Sequence, residues 1–102
     1  MGILKIPTSF KLFATTVLVD YDNKKLSNEG VYGECSYSDA KITLCDKYKD
    51  ENLNISTIMD TFYHEKVHMI LDAMGEHKLS HNEKFVEIFA RLLRQSDETS
   101  NY

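Results

Sequence analysis

A change of hydrophobic period near residue 55 constrains this chain more than any other feature. From there the apolar residues Ile55, Met59, Phe62, Tyr63, Val67, Ile70, Leu71 and Met74 recur at helical spacing. Before it, apolar residues come in short runs rich in Val, Thr and Phe, the pattern of strands. Strands first and helices second reads as an α+β fold. With 102 residues the chain is expected to form a single domain, 1–102, that buries enough surface to fold without a staple.

The elements follow from local pattern. Phe10–Tyr21 reads as a strand, Asp22–Gly30 as polar turn material, and Val31–Tyr37 and Lys41–Asp46 as two further strands. Within the last, Lys41–Cys45 alternates polar and apolar, as a half-buried or edge strand does. Lys47–Asn54 reads as a charged loop. A helix is expected over Ser56–Met74, with Gly75 in the left-handed position that closes it. Ser80 then caps a second helix reaching about Gln95, with Phe85, Ile88, Phe89, Leu92 and Leu93 as its apolar stripe. The tail 96–102 is polar and expected to be disordered. The expected architecture is a small N-terminal sheet of about three strands packed on two C-terminal helices.

Charge and composition narrow the function classes. Twelve Lys and Arg against sixteen Asp and Glu leave a formal charge of −4, with no basic run, which argues against nucleic acid as the main partner. No apolar run approaches the roughly 20 residues a membrane helix needs. The stretch Phe10–Val19 is interrupted by Lys11 and lacks a cleavage site, so it does not read as a secretory signal. The start Met1-Gly2 fails as a myristoylation signal because Ile6 stands where Ser or Thr is required. A cytoplasmic protein is expected. A hairpin turning near Ser38-Asp39 sets Cys35 opposite Ile42 and Cys45 opposite Tyr32, so the two thiols project from opposite faces and stay free.

The chemistry lies in His64-Glu65-Lys66-Val67-His68, an H-E-x-x-H in the middle of the first long helix. Histidines four apart differ by about 40° around a helix axis, so both imidazoles reach one point. That point suits a zinc ion bound through two nitrogens. Glu65 falls beside the ion rather than on it, where a carboxylate takes a proton from water and later returns it to a leaving group. The bland alternative is a chance pattern on a metal-free helix. Other first-row divalent ions accept the same donors, so zinc is inferred from ligand type.

The second helix opens His81-Asn82-Glu83-Lys84-Phe85-Val86-Glu87. With the first motif, this run resembles the gluzincin clan of zinc metallopeptidases, the thermolysin-like group, whose second motif is Asn-Glu-x-x-x-Asp. Asp72, four residues past His68, also has a counterpart in that family's motif helix. The resemblance covers the C-terminal helices and implies a zincin-like site. It makes Glu83 the third zinc ligand and Glu87, in place of the usual Asp, a neighbour that orients a ligand histidine. It also implies a peptide or protein substrate. A chain this short is similar to minimal gluzincins and to small metallopeptidase-like proteins of phages and mobile elements. No residue matches the Tyr and His that stabilise the oxyanion in the larger enzymes.

His81, thirteen residues after His68, gives a second resemblance, to SprT-like proteases, whose third ligand is a histidine. The third ligand therefore stands open between Glu83 and His81. Glu83 also has a plain reading as the partner of Ser80 in a helix-capping box, and Glu83 and Glu87 together as a solvated face. His77 reads as a solvent-exposed linker residue and Tyr63 as core. The chemistry expected is zinc-dependent peptide-bond hydrolysis with Glu65 as general base and, if Lys41–Cys45 is an edge strand, an extended substrate along it. The alternative from another class is a non-enzymatic, metal-stabilised binding or regulatory protein of a phage or mobile element. Glu65 favours the enzyme, because a structural ion has no need of a base beside it; the short chain favours the alternative.

Overall fold

A computed structural model describes residues 5–102, so the Met1-Gly2 start lies outside the described residues. The α+β class holds, with strands preceding the two long helices, but the first half is richer than expected. The run read as one strand is a hairpin, β1 (Ser9–Leu12) and β2 (Thr15–Tyr21), with Phe10 opposite Val17. Phe13 takes φ 54 in the two-residue turn. Neither Phe13 nor Ala14 is a turn residue by type, so nothing in the composition marks the reversal.

Asp22–Gly30 is not a turn but a short helix, α1 (Asn23–Glu29). The Asp22 side chain accepts the Lys25 amide, and Gly30, at φ 76, donates its own amide to the Leu26 carbonyl. Both ends are thus capped, and fully buried Leu26 anchors an otherwise polar segment.

Strands β3 (Gly33–Ser36) and β4 (Lys41–Leu44) pair antiparallel with Cys35 opposite Ile42, the expected register, and both cysteines are free. β4 also pairs with β2 in parallel, giving a four-stranded mixed sheet in the order β1-β2-β4-β3. Lys41–Leu44 is therefore not an edge, and the condition for a substrate lying along it is not met. α1 and β3 carry the chain across so that β4 returns between β2 and β3, with Ile42, Thr43 and Leu44 all buried. The terminal strand beside the helices is β3. The expected loop Lys47–Asn54 contains a small hairpin, β5 (Lys47–Tyr48) and β6 (Glu51–Asn52).

The long helix α2 (Ile55–Ala73) starts at Asn54, whose side chain accepts the Thr57 amide at 2.9 Å. It ends at Gly75, φ 78, where the Glu76 amide reaches back to the Leu71 carbonyl at 2.8 Å. Its buried face, including Met59, Phe62, Val67 and Met69, packs on Val17, Val19, Ile42 and Leu44 of the sheet. A one-turn helix, α3 (His77–Ser80), precedes α4 (Glu83–Thr99). The cap of α4 is Asn82, which accepts the Phe85 amide at 3.1 Å; Ser80 belongs to α3 and forms no capping box. α4 also continues past Gln95 through most of the segment expected to be disordered.

The largest departure is the rotation of α4. Its expected apolar stripe is only partly inside: Ile88, Phe89 and Leu92 are about half exposed, at 51%, 47% and 60%. The face turned to α2 carries buried Val86 and Ala90 together with Glu83 and Arg94. Ala90 lets the two helices approach closely. The Arg94 guanidinium donates to the Ser56 carbonyl at 2.8 Å and to Asp60 at 2.7 Å, and also holds Glu98. Specific hydrogen bonds and a small contact residue outweigh the amphipathic average of the helix.

Gly33 sets the distance between sheet and helix. A methyl group there would overlap the Thr61 methyl of α2 and come within 3.4 Å of the Thr43 carbonyl. Gly33→Ala is expected to destabilise the fold by about 1–3 kcal/mol through overpacking. Adding Thr61→Ser, which deletes the opposing methyl, should recover most of the loss on thermal denaturation. A double variant no more stable than Gly33→Ala would assign the constraint to the strand backbone instead.

Candidate metal centre

Helical spacing on α2 and the start of α4 converge on one point. His64 and His68 present their Nε2 atoms 3.3 Å apart. The Glu83 carboxylate closes the triangle, one oxygen 3.2 Å from His64 Nε2 and the other 3.3 Å from His68 Nε2. Among the described residues these three side chains form a group able to hold a metal ion. A tetrahedral ion with bonds of 2.0–2.1 Å places its donors about 3.3–3.4 Å apart, so the spacing fits. The donor set, two imidazole nitrogens and one carboxylate, suits zinc. The Glu83 side chain is 68% exposed, which leaves one side of the centre open to solvent.

The local sequence explains the convergence. Asn82 takes the capping role, so Glu83, the first residue of α4, is free to reach sideways rather than fold back on its own helix. A carboxylate in the first turn also sits favourably at the positive end of the helix dipole. His81 closes α3, donating its amide to the His77 carbonyl, and is exposed outside the triad. Of the two candidates for third ligand, the fold brings in Glu83. Glu87 is exposed and accepts from Arg91 at 2.9 Å; it makes no hydrogen bond to either histidine. Its expected partner role is met at His68 by Ser80, whose Oγ lies 3.1 Å from Nδ1. The sequence offered no signal for Ser80 beyond a serine before a helix, which reads as a cap. His77 pairs with Asp72 at 3.3 Å on the surface, and the Tyr63 hydroxyl donates to Asp97 at 2.7 Å, both away from the triad.

Glu65 lies beneath the centre, buried between α2 and β3. Burial pushes its carboxyl above the usual range; the Cys35 thiol and His68 act against this, while the Glu83 and Glu34 charges add to it. The Cys35 thiol is in turn pushed up, first by its own burial and then by the Glu65 carboxylate. The centre opens into a cleft of about 440 Å³. Its lining includes Tyr32 and Gly33, Glu87 and Arg91 of α4, and His64 and Glu65 of α2. The Tyr32 ring is held edge-on against Tyr48 at 4.8 Å.

Among the described residues no helix is long and apolar enough to cross a membrane. Comparisons with protein-family models, with curated proteins and with solved structures found no match to this chain.

Metal content per chain separates the candidates for third ligand. Wild-type protein is expected to hold one zinc, lost in Glu83→Ala and retained in His81→Ala. Loss in the histidine variant alone would transfer the ligand role to His81. Chelation of the zinc should lower the melting temperature, because an ion bound only to the folded state stabilises it by mass action.

Proposed function

We propose that this chain is a minimal zinc metallopeptidase of the gluzincin kind, acting on a peptide or protein substrate. The observation that carries this reading is the triad of His64, His68 and Glu83 at ion-binding separations, with a buried carboxylate, Glu65, directly beside it. When bound, zinc supplies a Lewis acid that polarises a carbonyl and acidifies water. His64, His68 and Glu83 hold the ion and leave the solvent side free. Glu65 takes the proton of the attacking water and returns it to the departing amine. Its burial suits this work, because a carboxyl raised above its ordinary range holds a proton more readily near neutral pH. An extended substrate finds backbone partners along β3, the terminal strand of the sheet, whose Gly33 borders the cleft.

A second reading rests on a separate observation. Ile88, Phe89 and Leu92 form a half-exposed apolar strip on α4, away from the triad. A metal-stabilised binding protein, such as a regulator carried by a phage or mobile element, would use such a strip to hold a partner. The two readings differ at Glu65. In the peptidase, Glu65→Gln retains zinc and lowers hydrolysis of a peptide substrate by about 10²- to 10⁴-fold. Undiminished turnover in that variant would remove Glu65 from the mechanism. Zinc binding without hydrolysis of any peptide in a broad library would favour the binding protein.

A further inference from the structure

Ser80 occupies an unusual place. It ends the one-turn helix α3, is 2% exposed, and lies against His68 rather than capping α4. α3 is fastened at both ends, by the His77–Asp72 pair at its start and by the His81 and Asn82 amides, which donate to the His77 and Leu79 carbonyls. The Ser80 amide itself donates to the Glu76 carbonyl at 3.0 Å. The hydroxyl is therefore presented to His68 from a rigid turn and shielded from competing water.

The hydroxyl has one proton to give. Its Oγ lies 3.5 Å from the His68 carbonyl oxygen, the acceptor for that proton, and 3.1 Å from His68 Nδ1. With the hydroxyl proton directed to that carbonyl, the oxygen accepts from the ring, and this arrangement carries a proton on Nδ1. The lone pair then resides on Nε2, the atom that faces His64 and Glu83. We propose that Ser80 is a positioning residue of the metal centre, fixing His68 in the Nδ1–H tautomer so that Nε2 is ready to bind an ion before one arrives. This rests on the metal centre of the reading above, and it assigns to a serine the outer contact the sequence motif assigned to Glu87. Partners of this kind fix ring orientation and raise ligand basicity.

Two measurements test it. Histidine nitrogen NMR on zinc-free protein at pH 8, where imidazoles are neutral, should show His68 as the Nδ1–H tautomer in the wild type. In Ser80→Ala it should move toward Nε2–H, and in Ser80→Thr, which keeps the hydroxyl, it should stay. Competition against a chromophoric chelator should show Ser80→Ala binding zinc roughly 10-fold more weakly, with Ser80→Thr near wild type. Wild-type His68 carrying its proton on Nε2, or Ser80→Ala binding zinc as tightly as wild type, would overturn the assignment. A wild type that takes up no zinc would sink the metal centre itself, while the tautomer still decides what Ser80 does.

Discussion

The antiparallel docking of α4 against α2 is the contact on which the rest depends. It is made through the less apolar side of α4, with Ala90 buried on that face and Arg94 gripping Ser56 and Asp60 near the start of α2. That choice of face is what turns Glu83 toward His64 and His68. Packing by the more apolar face would have carried Glu83 to the opposite side of the helix. One set of hydrogen bonds and one small side chain thus decide both the helix pairing and the assembly of the triad. The cost is an exposed strip of Ile88, Phe89 and Leu92, which a purely hydrophobic optimum would have covered.

The two carboxylates of the site live in different environments. Glu83 stands in the open at a helix start, where the helix dipole favours a negative charge. Glu65, next to His64 in sequence, points instead toward the sheet and is buried under β3. Gly33 makes this possible, because any larger residue would push the strand off the helix just where Glu65 and Thr61 lie. A single helix therefore turns His64 and His68 toward Glu83 and sends Glu65, its carboxyl raised by burial, toward the sheet.

Much of the fold was legible where a local rule had no competitor. The helical period of α2, its stop at Gly75 and the register of β3 on β4 all follow from spacing and turn position. The misses share one cause: tertiary contacts supplied what local composition lacked. The reversal at Phe13 and Ala14 carries no turn residue, and sheet pairing on both sides of it imposes the bend. α1 is too polar to read as a helix, yet two caps and the single buried Leu26 sustain it. Ser80 reads as a cap from its residue type and place before a helix, yet Asn82, two residues on, caps α4 and leaves Ser80 inside α3.

By itself the sequence determined the class of fold, the long motif helix and the convergence of His64 and His68, because helical geometry brings residues four apart together wherever a helix forms. It left open whether Glu83 or His81 joins the two histidines, since they lie two residues apart. The tertiary structure brings the Glu83 carboxylate to them and leaves His81 outside the group. The direction in which α4 faces depends on Arg94 and Ala90 meeting α2, a long-range contact that no local period encodes. The same holds for β4 in the middle of the sheet and for Ser80 behind His68, both placed by segments distant in the chain.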